Sequence, residues 1–226
     1  LTRGEFIIIF LLTIFFITFY KKIKLNNLVK INMIVFLIIS PYVVRNYIHF
    51  NEIFIVKSLG YNLWKGNNQL SLVEGYENLN NIKFTDLKDK IDNLKKNDLY
   101  EINRDKVFLN EASANLSTNP TKYFTLFFKK FFSYYFIDLN SNYPNYYNIF
   151  HILPVFLISL LSFPGLFIFY KNSKFERKCV SLYLFLNLLV FSVFFILPRY
   201  KLIILPIQII LAVYFILYIM RKYGYK

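Results

Sequence analysis

Residues 40–68 read SPYVVRNYIHFNEIFIVKSLGYNLWKGNN, and within them the chain changes from apolar to polar. The apolar run 31–44 contains Pro41, is followed by Arg45, and leads into a long polar segment that holds the only tryptophan, Trp64. A helix that leaves a lipid bilayer ends in this way, because charged side chains are costly to bury and need water. The stretch therefore predicts a membrane helix that opens onto an exposed surface carrying Trp64.

The composition of the whole chain points to a membrane protein. Of its 226 residues, 56% are hydrophobic and 21% aromatic, which is more apolar than a soluble domain of this length needs to be. Crossing the hydrocarbon core takes about 20 residues, and backbone groups in lipid must be paired within a helix. We therefore expect an all-α membrane protein with about five transmembrane helices, formed by the apolar runs 6–20, 31–44, 149–170, 179–197 and 202–220.

The distribution of lysine and arginine predicts the orientation of these helices. Three short stretches, 21–30, 171–178 and 221–226, are rich in basic residues and contain one acid, Glu176. The positive-inside rule places them in the cytoplasm. The sequence then divides into two transmembrane helices at 1–44, an extracytoplasmic loop domain at 45–148, and three transmembrane helices with a cytoplasmic tail at 149–226.

The charge balance of the loop domain argues against a nucleic-acid partner. Although the chain has a net charge of +14, residues 45–148 carry 13 basic and 11 acidic side chains. Most of the positive charge therefore reports membrane orientation and forms no basic patch. The expected partner is the lipid bilayer, with no nucleic acid.

The loop domain is predicted to be mostly helical. Pro120 follows Asn119, as a proline does in the first turn of a helix. The next stretch, 123–137, is too short and too polar in its middle to cross a bilayer, so we expect an amphipathic helix in the membrane interface. Its pattern places one group of aromatic side chains on a broad apolar face, Phe124, Phe127, Phe128, Phe131 and Tyr135, and places Lys129 and Lys130 together on another.

Several kinds of catalytic site are excluded by what the sequence lacks. It has a single cysteine, Cys179, and two histidines, His49 and His151, so metal chemistry has few ligands and no metal or cofactor is expected. No glycine-rich phosphate loop and no Ser-His-Asp arrangement is present.

Five short elements, taken in order, resemble one family. They are LTRGE at 1–5, PYVVRNY at 41–47 with GYNLWKGNN at 60–68, the helical stretch 103–114 followed by Asn119-Pro120, the aromatic and basic helix after it, and PRYKL at 198–202 with Pro206. Together they resemble the polyprenyl-phosphate-dependent integral-membrane glycosyltransferases of the GT-C superfamily, which include the protein O-mannosyltransferases and the aminoarabinose transferases. Gly4 replaces a proline of the family pattern, and near the end Ile203 and Ile204 replace its first proline position.

The resemblance implies a function and a location. A sugar would be transferred from a polyprenyl-phosphate-linked donor to a lipid, glycan or protein acceptor, on the extracytoplasmic side of the bacterial inner membrane. In that family the catalytic base lies in the first outer loop, which would precede Leu1. We therefore expect the chain to be the C-terminal portion of such an enzyme, without the base and inactive alone.

Four cations at predicted outer helix ends are the candidates for binding the donor phosphate: Arg199, Arg45, Arg3 and Lys201. Charge-assisted hydrogen bonds to phosphate are strong in a partly desolvated setting, and an arginine would stabilise the charge that develops on the leaving phosphate. Arg199 is the first candidate for that role and Arg45 the second. The alternative is that these side chains reach ordinary lipid headgroups, and that Glu5 pairs with Arg3.

A second group combines aromatic faces with amides, which suits a sugar or an acceptor because sugars offer both C–H faces and hydroxyls. Its members are Tyr61, Asn62, Trp64, Asn67, Asn68 and Tyr200. The alternative is a loop that Trp64 anchors in the membrane interface.

Two other classes of protein stay open. One is an O-antigen ligase or polymerase, which also has a large outer loop, although the only histidine of the predicted loop, His49, lies at its membrane edge. The other is a non-enzymatic multi-pass protein such as a transporter subunit. The near absence of polar residues in the predicted spans, apart from Asn32, Asn187 and Gln208, weighs against transport.

Overall fold

A computed structural model of the chain describes residues 5–21, 24–55, 57–171 and 175–224. Within these ranges every regular element is helical and there is no strand, which confirms the all-α fold class. The α-helices are α1 (Glu5–Lys21), α2 (Leu25–Phe50), α3 (Leu59–Gly66), α4 (Thr85–Asp92), α5 (Tyr100–Thr118), α6 (Pro120–Tyr135), α7 (Ile149–Lys171), α8 (Phe175–Val193) and α9 (Lys201–Lys222). Two short 3-10 turns, Ile82–Phe84 and Pro198–Tyr200, precede α4 and α9.

Three of the described helices are long and apolar enough to cross a membrane, so the expected count of five is not confirmed. They are α2, α7 and α9, the last counted from Pro198. Helix α1 is apolar but short. Helix α8 ends at Val193 and does not reach Leu197, because Leu197 is held extended before Pro198, a residue that disfavours helix at the position ahead of it.

Helix α2 is longer than the sequence predicts. It continues through Pro41 and ends at Phe50, so Arg45 lies on the helix and not beyond it. A proline removes one backbone hydrogen bond, which the remaining turns of a 26-residue helix outweigh. The helix ends at Asn51, which adopts a left-handed conformation (φ 52°) and donates its N–H to the carbonyl of Tyr47 at 2.8 Å.

The chain forms two compact units, and each is described by itself. The first comprises residues 1–70 and 76–119, and the second comprises residues 71–75 and 120–226. The short segment 71–75 therefore belongs with the C-terminal helices.

The core of the first unit lies where α3 and α4 pack on α5. Helix α3 approaches α5 closely because Gly60 has no side chain: a Cβ there would overlap the carbonyl oxygen of Asp105. The Asp105 carboxylate accepts a hydrogen bond from the Tyr61 N–H at 2.9 Å, in the first turn of α3, where negative charge is favourable. The buried side chains of this core are Trp64, Phe84, Leu87, Ile91, Phe108 and Ala112.

The second unit is built from α6 to α9. Helices α7 and α9 pack tightly at Gly165, where a Cβ would overlap the carbonyl oxygen of Leu211. Small residues at such crossings let two membrane helices approach backbone to backbone. Helix α6 packs on α8, with the rings of Phe131 and Phe185 6.3 Å apart.

The helix predicted at 123–137 exists as α6, but its two lysines do not lie together on one polar face as predicted. Lys130 is fully buried, whereas Lys129 is exposed, so the two lysines do not share a polar face. Phe124 and Phe128, predicted on the apolar face together with Tyr135, are exposed, whereas Tyr135 is buried. The position of Lys130 was not predictable because aromatic residues occupy adjacent positions all along this helix, so periodicity does not distinguish one side from another.

Candidate functional site

A cleft in the second unit brings together the polar and titratable side chains best suited to take part in a reaction. Its walls come from segment 71–75, from the end of α6 and the loop after it, and from the first turns of α7 and α9. The cavity inside the cleft is small, about 30 Å³. The side chains that matter for chemistry are Glu74, Asp138, Tyr146, His151 and Lys201.

Asp138 is the more buried of the two acids of the cleft. It is 8% exposed, and its Oδ1 accepts a hydrogen bond from the Asn140 N–H at 3.0 Å. Burial raises the pKa of the Asp138 carboxyl, the hydrogen bond from Asn140 works against that rise, and the negative charge of Glu74 adds to it. A carboxyl group with a raised pKa is a better proton acceptor than an ordinary aspartate.

The loop that carries Asp138 is fixed by hydrogen bonds. The hydroxyl of Tyr146 accepts from the Asp138 N–H, and the hydroxyl of Tyr147 accepts from the Ser141 N–H, both at 2.8 Å. Glu74 holds the same loop from the other side, because its carboxylate accepts from the Ser141 hydroxyl and, at 3.1 Å, from the Asn142 N–H. The two carboxylates are thus held in place before any ligand binds.

Lys201 lies at the edge of the cleft, and its ammonium group is hydrogen-bonded to other residues of the protein. Its Nζ donates to the carbonyl of Tyr135 at 2.6 Å, to the carbonyl of Phe136, and to the hydroxyl of Ser159 at 3.0 Å. An ammonium group has three hydrogens to donate, so none remains for a phosphate. Lys201 therefore binds the free carbonyls at the C-terminal end of α6, and its predicted role as a phosphate ligand is wrong in this conformation.

The remaining predicted phosphate ligands are in different places. Arg199 is exposed, between two residues that line the cleft, and its guanidinium lies 5.8 Å from the ring centre of Tyr200. Arg45 is exposed on α2 of the first unit. Arg3 lies outside the described residues. Within the second unit, Arg199 combines exposure with a position beside the cleft.

The predicted sugar-binding aromatic residues are mostly buried. Trp64 is 0% exposed, and its ring lies 4.8 Å from that of Phe108 and 5.3 Å from that of Phe84. Tyr200 is buried against Phe191, with ring centres 5.8 Å apart. Neither ring offers a face on which a sugar could stack, so that assignment is corrected: both pack in cores.

The polar members of the predicted sugar-binding group also serve the fold. Asn68 is buried and donates to the carbonyl of Tyr76 at 2.7 Å, while Asn67 donates to the carbonyl of Leu63 at 2.9 Å. Asn62 is half-buried within α3. The hydroxyl of Tyr61 donates to Glu77 at 3.0 Å, and burial together with that carboxylate raises the pKa of Tyr61 to about 12.

Sequence reasoning did not single out four side chains of the cleft as site candidates: Glu74, Asp138, Tyr146 and His151. Asp138 carried a usable signal, because it is a lone acid that directly follows an aromatic helix at a predicted membrane surface. Glu74 carried no such signal in the sequence. It lies in the second unit because the five-residue segment 71–75 belongs there, although the residues on either side of it belong to the first unit. Among the described residues, no group of three or more His, Cys, Asp or Glu side chains could hold a metal ion.

Comparison of the chain with protein-family models, with curated proteins and with solved structures finds no match.

Proposed function

We propose that the chain is the C-terminal portion of an integral-membrane glycosyltransferase that moves a sugar from a polyprenyl-phosphate-linked donor to an acceptor. The observation that carries the proposal is the cleft of the second unit, where Asp138 is buried beside the first turns of two helices able to cross a membrane. The five ordered sequence elements that resemble this family of transferases support the same reading.

Asp138 is the proton acceptor in the proposed reaction, in place of the base that the family resemblance puts ahead of Leu1, so the chain is proposed to carry its own base. An acceptor hydroxyl attacks the anomeric carbon of the donor sugar, the bond from that carbon to the phosphate oxygen breaks, and the hydroxyl proton passes to the Asp138 carboxylate. The departing phosphate keeps the bonding electron pair. A raised pKa suits Asp138 to this role, because a base works best when its pKa approaches the working pH.

Arg199 is the proposed ligand of the donor phosphate. It is exposed, and it follows Pro198 and precedes Lys201, both of which line the cleft. The negative charge on the phosphate grows as the sugar leaves, so an arginine there stabilises the transition state more than the bound donor. In this arrangement the acceptor binds in the cleft beside Asp138, and the donor phosphate binds to the exposed Arg199.

The cleft is proposed to open on the extracytoplasmic side of the bacterial inner membrane. Lys201 lies at one end of α9, and Arg221 and Lys222 lie at the other, roughly 31 Å away at 1.5 Å per residue. Helix α7 runs in the same sense, from His151 at the cleft to Lys171. The basic ends of both helices thus lie at the far end from the cleft. The positive-inside rule assigns those basic ends to the cytoplasm.

The bilayer itself is the proposed environment of the exposed apolar helices. In α2 the side chains of Met33, Phe36 and Leu37 are each more than 60% exposed. Leaving such surface in water would cost about 25 cal/mol for each Å². Contact with lipid tails removes that cost.

Transfer of radiolabelled sugar in membranes that contain the full chain tests the proposal. We expect Arg199→Ala and Asp138→Asn each to lower the transfer rate about 100-fold or more, the range for loss of a transition-state cation or a general base. Arg221→Ala, an exposed arginine at the far end of α9, is the matched control and should leave the rate unchanged. Rates unaffected by both cleft variants would refute the assignment.

An O-antigen ligase or polymerase is the second candidate, and one observation favours it. His151 lines the cleft, whereas His49 lies exposed on α2. If transfer depends on His151 as the acting base, His151→Ala should abolish it while Asp138→Asn only weakens it. His49→Ala is the control for loss of an imidazole elsewhere.

A further inference from the structure

A second concavity in the second unit runs along the exposed side of α6. Five of the thirteen residues that line it are phenylalanines, its volume is about 660 Å³, and it is open on one side. Phe124, Phe128, Phe132 and Phe136 form the wall that α6 and the residue after it contribute, and Phe156 of α7 contributes to the opposite side. We call this concavity the aromatic groove.

The aromatic groove and the acidic cleft adjoin one another. Both are lined by Ser133, Ile137 and Asp138. Asp138 therefore places a carboxyl group at the junction of two largely apolar surfaces, and Glu74 adds a second carboxylate on the side of the cleft. A ligand that touches both regions must itself be apolar at one end and polar at the other.

The dimensions of the aromatic groove suit a hydrocarbon chain. Between Phe124 and Tyr135 the helix rises roughly 17 Å, at 1.5 Å per residue. Phe156 belongs to a helix able to cross a membrane, so a chain in the groove can be supplied from the bilayer. Phe124 and Phe132 are 66% and 54% exposed, and a chain lying on them would remove that apolar surface from water.

The charges of the cleft select the head of such a ligand. Glu74 and Asp138 contribute two carboxylates, and the three hydrogens of the Lys201 ammonium are already donated to Tyr135, Phe136 and Ser159. A phosphate in the cleft would meet two carboxylates and one ammonium group, and that ammonium has no hydrogen left to donate to it. Hydroxyl groups can instead donate hydrogen bonds to both carboxylates.

We propose that the groove and the cleft together bind one lipid with an uncharged, hydroxyl-bearing head. The tail lies along Phe124, Phe128 and Phe132, and the hydroxyls of the head contact Asp138 and Glu74. The identification of this lipid as the sugar acceptor rests on the proposed function. The binding itself does not depend on it.

Photocrosslinking to the full chain in detergent tests the binding. The probe is a monoacylglycerol with a diazirine in its acyl chain, and the comparison probe carries the same chain on a glycerol phosphate. We expect the neutral probe to label the peptide that contains residues 120–137 at least fivefold more than the phosphate probe does.

Two sets of variants separate the tail site from the head site. Phe128→Ala with Phe132→Ala should lower labelling at least fivefold, whereas Phe167→Ala, which removes an exposed ring from α7, should not. Asp138→Asn with Glu74→Gln should reduce the preference for the neutral probe to twofold or less, because it removes the charges that repel phosphate.

Three outcomes would overturn the proposal. Equal labelling by the two probes would remove the selection for an uncharged head, and preferred labelling by the phosphate probe would assign the groove to an anionic lipid held by Lys129, which also lines it. Labelling unchanged by the paired phenylalanine variant would show that the tail lies elsewhere. Selective labelling without any sugar transfer would refute the proposed function but leave the lipid site standing.

Discussion

In the proposed reaction, the chemistry of the cleft depends on Asp138 and Glu74. Burial raises the pKa of Asp138, and the charge of Glu74 raises it further. A base acts in its deprotonated form, so activity should increase with pH as Asp138 loses its proton. In a plot of rate against pH, the rise on the acid side (the acid limb) therefore reports the pKa of Asp138.

Replacing Glu74 by glutamine should move that limb in a known direction. Glu74→Gln removes a negative charge that favours the protonated form of Asp138, so the pKa of Asp138 falls. The acid limb of the pH–rate profile should then shift to lower pH. Asp98→Asn, which neutralises an exposed acid of the first unit, is the control. An acid limb that stays in place, or moves to higher pH, would show that Asp138 is not the titrating base.

Trp64 shows why residue type alone did not reveal the sites. A tryptophan with nearby amides suits both a sugar-binding surface and a small helical core, and the sequence does not say which face of α3 meets α5. The close approach of Gly60 to Asp105 decides it, because it turns Trp64 toward Phe108 and Phe84. Lys201 was misassigned for a similar reason: its partners lie 42 to 66 residues away in the chain.

At the scale of elements, the packing of α7 on α9 is the contact that shapes the second unit. Gly165 lets the backbones of the two helices touch. Polar side chains near this helix contact form hydrogen bonds with the end of α6. The hydroxyls of Tyr135 and Ser162 are 2.8 Å apart, and Gln208 donates to the carbonyl of Tyr135 at 2.8 Å. These hydrogen bonds hold the end of α6, and therefore Asp138, beside the membrane helices.

Gly165→Ala should weaken this packing. The added methyl group overlaps a backbone oxygen, which cannot rotate away as a side chain would, so α7 and α9 must separate. Overpacking of this kind costs about 1 to 3 kcal/mol. Thermal unfolding in detergent, followed by helical circular dichroism, should show a lower midpoint for Gly165→Ala than for Leu160→Ala, which alters the exposed face of α7. Equal midpoints would contradict the tight crossing.

Helix positions were largely predictable from the sequence, but helix faces and ends were not. The runs of apolar residues located α2, α7 and α9, and Asn119-Pro120 located the start of α6. The buried side of α6 was not predictable, because aromatic residues surround the helix and its lysines are adjacent. The end of α2 was misplaced because Pro41 is a weaker signal inside a long helix than at its boundary.

For the molecule as a whole, the proposed reaction requires the cleft to face the outer side of the membrane. The cleft lies at the start of α7 and α9, and the basic residues Lys171, Arg221 and Lys222 lie at their other ends. Arg177, at the start of α8, lies with those basic ends, since its guanidinium is 5.5 Å from the ring centres of both Phe169 and Tyr214. A donor and an acceptor on the outer surface can reach Asp138 only if this end of the unit faces outward.

Labelling of introduced cysteines by a membrane-impermeant maleimide measures this orientation directly. In a Cys179→Ser background, which removes the only native cysteine, we would introduce Leu139→Cys beside Asp138 and, separately, Tyr223→Cys after α9; both positions are exposed. In intact cells the position 139 variant should be labelled, and the position 223 variant only after the membrane is permeabilised. The reverse pattern would place the cleft in the cytoplasm and contradict the account.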